Sequence, residues 1–281
     1  MSEIINNVQV HIPFRLLTTE NLHVVIGKRI NPEISFNFSD LETLPETVYA
    51  EVAKRLEEAG LRVTFHAPFM DLRPGAIDRK IRQATKDRLQ QVFDLVPLFH
   101  PVTVVCHPSF DERYYVSTRQ AWLENSIETW SHFLKSAEET KTIIALENVY
   151  ETEPSPLLQL LGAVASSRLR FCFDTGHFNV FSRVPLATWI EKMGPYLAEL
   201  HVHDNAGVAD DHAPVGKGTF PFPDFFARLR EATLCPLITL EAHSLEDLWQ
   251  SLQGLEMMEL PAANNRRGSL TSERELPGQA T

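Results

Sequence analysis

Residues 142–174 read TIIALENVYETEPSPLLQLLGAVASSRLRFCFD, and this stretch decides the fold. Its two ends, 142–147 and 168–174, are short apolar runs with the length of a buried β-strand. Between them, Ser155-Pro156 is a helix-start signal, and leucines follow at helical spacing. A strand, a helix and a second strand in this order predict a parallel βαβ unit.

The same alternation continues in both directions along the chain. The strand candidates are residues 8–13, 33–37, 62–66, 102–107, 142–147, 168–174, 198–203 and 237–241. Helix-like runs lie between them at 18–27, 46–59, 77–99, 118–139, from 155 onward, 221–232 and 245–257. We therefore predict a single-domain (β/α)₈ TIM barrel over residues 1–260, in the α/β class.

Three segments lie outside this regular pattern. Residues 261–281 are rich in Ala, Asn, Arg, Gly, Ser and Pro and have no apolar period, which predicts a disordered tail. The connections 70–76 and 110–116 are long, and they are candidates for lids or interfaces.

Composition limits the classes of partner and compartment. The 281 residues are near the size of one barrel, about 250 residues, and they would also suffice for two smaller domains. The net charge of −11 disfavours nucleic acid and anionic membranes as partners. The sequence has no basic, apolar leader and no long apolar run, so we expect neither a signal peptide nor a membrane span. Three widely spaced cysteines are typical of free thiols in the cytoplasm. Assembly into a homo-oligomer is compatible with the sequence.

Six predicted strands end in an apolar residue followed by a residue that can bind a metal ion. The pairs are Phe65-His66, Cys106-His107, Leu146-Glu147, Phe173-Asp174, Leu200-His201 and Leu240-Glu241. Because side chains alternate faces along a strand, the apolar residue faces the helices and the polar one points into the barrel mouth. One such residue alone would be interpreted as a satisfied core polar group. Three carboxylates and three imidazoles together would repel or stay unpaired, so the pattern predicts a divalent metal site.

Further candidates follow these strand ends. His177 comes three residues after Asp174, and His203 shares a strand face with His201. The next loop carries Asp210-Asp211-His212 and then Gly216-Lys217-Gly218. Lys217 is a candidate for holding an anionic substrate group after strand seven, although the loop is equally typical of a solvated turn. His11 on the first strand either lines the pocket or packs in the core.

At these residues the chain resembles the xylose isomerase-like TIM-barrel superfamily. It is most similar to the sugar phosphate isomerase/epimerase members, which are related to endonuclease IV. The matching pieces run in family order over roughly residues 8–257. They are His66-Ala67-Pro68-Phe69, Cys106-His107-Pro108, Leu146-Glu147-Asn148, Phe173-Asp174-Thr175-Gly176-His177, His201-Val202-His203-Asp204-Asn205, Asp210-Asp211-His212, Gly216-Lys217-Gly218 and Leu240-Glu241.

This resemblance implies one divalent metal ion (Mn²⁺, Co²⁺, Zn²⁺ or Mg²⁺) held by Glu147, Asp174, His201 and Glu241. It implies isomerisation or epimerisation of a small sugar or 2-hydroxy carbonyl substrate through an enediolate, or a related dehydration. Glu147 and Glu241 would form the acid/base pair. The residues expected to bind the carbohydrate-like substrate are His11, His66, His107, His177, His212 and Lys217.

Two other functions use the same residues. An enzyme like endonuclease IV would hold three zinc ions and cleave DNA, and its added ligands would map onto His66, His107, His177, Asp210 and His212. The acidic balance and the acidic segment 38–42, interpreted as a loop, disfavour it. A barrel without catalytic activity is disfavoured because the four implied metal ligands are all retained.

Overall fold

The computed structural model describes residues 3–19 and 21–261. Eight parallel strands form a closed barrel in which each strand pairs with the next and the last pairs with the first. The strands are β1 Gln9–Pro13, β2 Asn31–Ser35, β3 Thr64–His66, β4 Thr103–Cys106, β5 Ile143–Glu147, β6 Leu169–Asp174, β7 Leu197–Val202 and β8 Leu237–Leu240. The predicted (β/α)₈ TIM barrel is confirmed, and every predicted strand overlaps an observed one.

Helices connect consecutive strands around the outside of the barrel. They are α1 Phe14–Leu17, α2 Asn21–Gly27, α3 Phe38–Thr43, α4 Glu46–Glu58, α5 Arg79–Phe93, α6 Val96–Phe99, α7 Arg119–Thr140, α8 Ser155–Val164, α9 Thr175–Phe181, α10 Leu186–Met193, α11 Phe222–Glu231 and α12 Leu245–Glu256. Short 3₁₀-helices cover Glu3–Asn6 and Gly194–Tyr196.

Two local predictions differ from the structure. Strand β2 ends at Ser35 rather than at residue 37, because the side chain of Asn37 accepts the backbone N–H of Asp40 and begins α3. The segment 38–42, interpreted as a loop, is therefore helical. The run 77–99 is divided into α5 and α6, since Pro97 has no N–H and its ring clashes with the carbonyl four residues before it.

Along the strands, most apolar side chains face the helices and polar side chains face the barrel interior, as the alternation predicts. Leu146, Phe173 and Leu200 are at most 1 % exposed and belong to the core between strands and helices. The barrel interior is polar, in contrast to the branched aliphatic side chains that usually fill such barrels. Glu33, Thr103, Glu199 and Thr239 are completely buried there, beside the small apolar cluster Val105, Ala145 and Cys172. The packing of the apolar strand residues against the helices fixes which side chains point into the mouth.

Most of the predicted tail, residues 262–281, lies outside the described residues, and its disorder stays a prediction; Pro261 is buried. Within 3–19 and 21–261, no helix combines the length and the apolar character needed to cross a bilayer. Cys106, Cys172 and Cys235 are all free thiols.

Candidate active site

A cavity of about 300 Å³ opens at the carboxyl ends of the strands. The residues that line it are His11, His66, Phe69, His107, Glu147, Val149, Tyr150, His177, Asp210, His212, Glu241 and His243. These residues follow strand ends that lie far apart in the sequence, so closure of the barrel brings them together. The lining contains no lysine or arginine.

His201 lies at the floor of the site, between two carboxylates. Its Nδ1 is 3.4 Å from Glu147 Oε2 and 3.2 Å from Glu241 Oε1. His201 is completely buried, and the side chains of Glu147 and Glu241 are 1 % and 9 % exposed. Because β5 and β8 lie on opposite sides of β7 in the sheet order, the two carboxylates approach the same ring edge from different directions.

Asp174 is connected to both of these carboxylates through imidazoles. His177 Nδ1 lies 3.3 Å from Asp174 Oδ1 and 3.0 Å from Glu147 Oε1. His203 Nε2 lies 3.0 Å from Asp174 Oδ2 and 3.7 Å from Glu241 Oε2. Asp174 also begins α9, since its Oδ1 accepts the backbone N–H of His177. Of the four residues expected to bind one metal ion, Glu147 and Glu241 lie against His201, and Asp174 is linked to these carboxylates through His177 and His203.

A second cluster lies on the other side of Glu147. His66 Nε2 and His107 Nε2 are 3.4 Å and 3.2 Å from Glu147 Oε2. The ring of His107 stacks on Phe69, with ring centroids 4.3 Å apart. His66, His107 and Glu147 form one of the groups whose ligand atoms lie close enough to share an ion.

A third cluster covers the opposite side of the mouth. Asp210 Oδ2 is 3.3 Å from His177 Nε2 and 3.2 Å from His212 Nε2. His212 has a φ of 49°, in the left-handed region that side chains seldom adopt. His212 also joins His203 and Glu241 in another group able to share an ion.

The residues fit a divalent cation. Within the described part of the chain, several buried atoms have no hydrogen-bond partner: Glu147 Oε2, His201 Nδ1, His203 Nδ1, Asp210 Oδ1 and His212 Nδ1. Buried polar atoms are costly when unpaired, and these atoms converge on one site. Imidazole nitrogens and carboxylate oxygens together suit Mn²⁺, Co²⁺ or Zn²⁺ and allow Mg²⁺.

The electrostatics lead to the same conclusion. Burial alone would raise the pKa of Glu147 and of Glu241, but the facing histidines outweigh it and lower both pKa values. For His177, burial would lower the pKa, whereas Asp174, Asp210 and Glu147 raise it well above its usual value. The facing histidines therefore offset the charge of these carboxylates, and a bound cation would take over that role.

Of the residues predicted to bind substrate, His11 lines the cavity and Lys217 does not. His11 lines the cavity, and its ring meets that of His66 edge-on with centroids 5.8 Å apart. Lys217 is exposed and is not one of the residues that line the cavity. The backbone N–H groups of Gly216 and Gly218 bind Asp204 Oδ2 at 3.1 and 2.8 Å, so they face the protein interior. The proposed anion contact of Lys217 stays a prediction.

Sequence reasoning assigned no role to three residues of the site. His203 was placed on the correct strand face, but its contact with Asp174 depends on α9 beginning there. His243 stacks on His212 with centroids 4.4 Å apart, and only its position two residues after Glu241 could have indicated it. Glu33 Oε2 lies 3.2 Å from His201 Nε2, beneath the mouth of the barrel. Because Glu33 does not lie at the end of its strand, the search for polar residues at strand ends could not identify it.

Comparison with known proteins gives a family match. A family model described as xylose isomerase-like TIM barrel matches residues 31–259. The uncharacterized protein MJ1311 of Methanocaldococcus jannaschii is 28 % identical over 209 residues, which cover 70 % of this chain and 69 % of that protein. The family resemblance identified from the sequence is therefore confirmed.

Solved structures share the fold. A D-tagatose 3-epimerase-like protein superposes with a TM-score of 0.74 at 20 % identity, covering 89 % of this chain and 96 % of that one. The TTHB071 protein from Thermus thermophilus, in crystals soaked with ZnCl₂, also gives a TM-score of 0.74, at 24 % identity, covering 93 % and 100 %. Sugar epimerases recur among the structural neighbours.

Proposed function

Because the chain belongs to the xylose isomerase-like TIM-barrel family, we propose that it is a metal-dependent isomerase or epimerase of a small sugar or 2-hydroxy carbonyl compound. One observation carries this proposal: Glu147 and Glu241 face the same edge of His201 from two strands, at the floor of a small cavity. Removal of a proton from one face of a carbon atom and its return to the opposite face use two such groups.

Glu147, Asp174, His201 and Glu241 are the residues that would hold one divalent ion. When bound, such an ion supplies Lewis acidity to the oxygens of a hydroxy carbonyl substrate and stabilises the enediolate. The ligand types leave Mn²⁺, Co²⁺, Zn²⁺ and Mg²⁺ as candidates.

The two glutamates would perform the proton transfers. In our proposal, one carboxylate removes the proton from the carbon next to the carbonyl, and the other returns a proton to the same carbon or its neighbour. Return to the opposite face inverts that carbon, and return to the neighbouring carbon moves the carbonyl. The histidines lower the pKa of both carboxylates, so either can begin as the base. The other carboxylate must first take up a proton, from solvent or from a neighbouring protonated histidine, before it can return one to carbon.

The lining of the cavity favours a neutral, hydroxyl-rich substrate. Its volume of about 300 Å³ lies at the small end of ligand sites. His11, His66, His107 and His177, together with His212, offer ring nitrogens to substrate hydroxyls. Phe69 and Tyr150 supply apolar walls to the cavity.

Exchange of carbon-bound hydrogen tests this reaction. The metal-loaded protein is incubated in D₂O with ketoses, hydroxypyruvate and inosose-like compounds, and proton NMR follows the C–H next to the carbonyl. We expect loss of that signal for at least one compound, together with a new epimer or isomer. Glu147→Gln should abolish formation of the epimer or isomer, whereas Glu57→Gln, an exposed change on α4, should leave it unaltered. Formation of the epimer or isomer at the wild-type rate in Glu147→Gln would contradict the proposed acid/base pair.

A second candidate is a phosphodiesterase that uses three metal ions, like endonuclease IV. The observation that favours it is the arrangement of histidines in two further clusters, at His66–His107–Glu147 and at His177–Asp210–His212. Two or three ions held close together can clamp a phosphate and activate water. The cavity lining without lysine or arginine, and the net charge of −11, make it the weaker candidate for a DNA substrate.

The two candidates differ in measurable ways. The phosphodiesterase would cleave abasic DNA and would lose that activity when His107 or Asp210 is replaced by alanine. The isomerase would retain its metal in both variants and lose mainly substrate affinity.

We also propose that the protein resides in the cytoplasm, because its three free thiols, two of them buried, suit a reducing compartment.

A further inference from the structure

Glu33 lies on β2, and its side chain points into the barrel axis one layer below the candidate metal site. It is completely buried, as is His201. A carboxylate withdrawn from water needs a charged or hydrogen-bonded partner. For Glu33 that partner is His201, since Oε2 lies 3.2 Å from His201 Nε2.

The two edges of the His201 ring have different surroundings. Nε2 faces Glu33 below, while Nδ1 faces Glu147 and Glu241 above. Nε2 lies at hydrogen-bonding distance from its carboxylate, whereas Nδ1 has no hydrogen bond within the described residues. A neutral imidazole that donates Nε2–H to a carboxylate keeps a lone pair on Nδ1, which here would be directed at the space between the two upper glutamates.

A second buried carboxylate provides the comparison. Glu199 lies in the same polar interior, but its two oxygens accept the hydroxyls of Thr103 and Thr239 at 2.5 and 2.6 Å. Its hydrogen bonds are therefore made to threonines and not to His201. Of these two glutamates, only Glu33 is hydrogen-bonded to the His201 ring.

We infer that Glu33 is a positioning residue that accepts Nε2–H from His201, fixes the ring orientation and directs Nδ1 to the metal ion between Glu147 and Glu241. The inference rests on the proposed function in one respect, that His201 is a metal ligand. Carboxylates behind ligating histidines usually raise the basicity of the ring and hold it in place, and their loss weakens metal binding by about 10- to 100-fold.

The test compares Glu33→Gln with Glu199→Gln, the same substitution in the same interior. Zn²⁺ affinity is measured by competition with a chromophoric chelator on chelator-treated, full-length protein. We expect Glu33→Gln to weaken Zn²⁺ binding by about 10- to 100-fold and Glu199→Gln to leave it nearly unchanged. Far-UV circular dichroism and melting of the metal-free proteins show that both variants fold.

Nitrogen-15 NMR of histidine-labelled protein gives a readout that does not depend on activity. In the Zn²⁺-loaded wild type we expect a slowly exchanging proton on His201 Nε2 and a metal-shifted Nδ1. In Glu33→Gln the Nε2–H resonance should move strongly and exchange faster. A wild-type Zn²⁺ affinity in Glu33→Gln, or a proton on Nδ1 with metal on Nε2, would overturn the inference.

The remaining outcomes separate this inference from the proposed function. If Glu33→Gln and Glu199→Gln each lost a bound ion to the same extent, both glutamates would be ligands of a deeper metal site. That result would overturn the positioning role of Glu33. Unchanged Zn²⁺ binding in His201→Ala would instead contradict the proposed metal site. In that case the His201 Nε2–H resonance of the metal-free wild-type protein would still test the contact between Glu33 and His201.

Discussion

The rings of His203 and His212 stack face to face, with centroids 3.8 Å apart and an angle of 4° between their planes. His203 follows β7, and His212 belongs to the loop that returns over the mouth. The stack therefore fixes this loop against the end of the strand, and it brings Asp210 to within 3.3 Å of His177 Nε2. The other face of the His203 ring packs against Gly176.

A side chain at position 176 should disturb this arrangement. A Cβ atom on Gly176 would lie 2.0 Å from Cε1 of His203, and the ring has little room to retreat because His212 covers its other face. We expect Gly176→Ala to destabilise the protein by about 1–3 kcal/mol and to weaken metal binding. Chemical denaturation and Zn²⁺ competition measure the two effects.

Gly162→Ala is the matched control for this change. Gly162 is an exposed residue in α8, and a Cβ atom there would meet nothing within 4 Å. This variant should be more stable than the wild type by about 0.5–1 kcal/mol, because alanine is the better helix former. Wild-type stability and metal affinity in Gly176→Ala would show that the His203 ring is not held as described.

Asp204 should control the order of the loop that carries Asp210 and His212. Its carboxylate is completely buried and accepts four backbone N–H groups, those of Asn205, Gly216, Gly218 and Phe220. Asp204→Asn replaces one acceptor oxygen with an amide donor, and each N–H left unpaired costs about 1–3 kcal/mol. We expect faster amide hydrogen exchange across residues 205–220.

Asp211→Asn, at an exposed position of the same loop, is the control. Its backbone amides across residues 205–220 should exchange at the wild-type rates. If the loop in Asp204→Asn is as protected as in the wild type, the carboxylate does not anchor it.

Glu151 should give the protein a pH-dependent stability. Burial raises the pKa of this carboxyl from 4.5 to about 7 in the folded state. Between these two pH values the folded protein keeps a proton that the unfolded chain releases. The free energy of unfolding should therefore fall by about 1.4 kcal/mol per pH unit as pH rises through this window.

Glu151→Gln removes this titration and can still accept the N–H of Val149. The stability of the variant relative to the wild type should rise from pH 4.5 to about 7 and be constant above it, as measured by denaturation at each pH. A difference in stability that is independent of pH would rule out the raised pKa.

Replacing the two proposed acid/base residues should affect metal binding to different extents. Glu241→Ala removes a carboxylate that lies 3.2 Å from His201 Nδ1, so both metal affinity and turnover should fall, turnover to the level of the metal-free protein. Glu147→Gln keeps an oxygen ligand, and its turnover should fall by about 10²–10⁴-fold while part of the metal remains. Full activity in Glu241→Ala would remove its assigned role.

Much of the site could be predicted because it depends on strand periodicity. Leu146 and Glu147 must face opposite sides of a strand, and in a closed barrel the carboxyl ends of all strands meet at one mouth. Glu33 could not be found in this way, since its role depends on a contact with His201 Nε2, three strands away around the barrel. The exposure of Lys217 results from Asp204 binding the flanking glycines, a tertiary contact without a local sequence signal.

Metal content per chain, measured by elemental analysis of protein purified without chelator, tests the central claim most directly. We expect about one divalent ion per chain in the wild type, and loss of that ion in His201→Ala. Wild-type protein without a stoichiometric metal ion after reconstitution would contradict the claim. About three zinc ions per chain would contradict the single-metal isomerase and support the phosphodiesterase in its place.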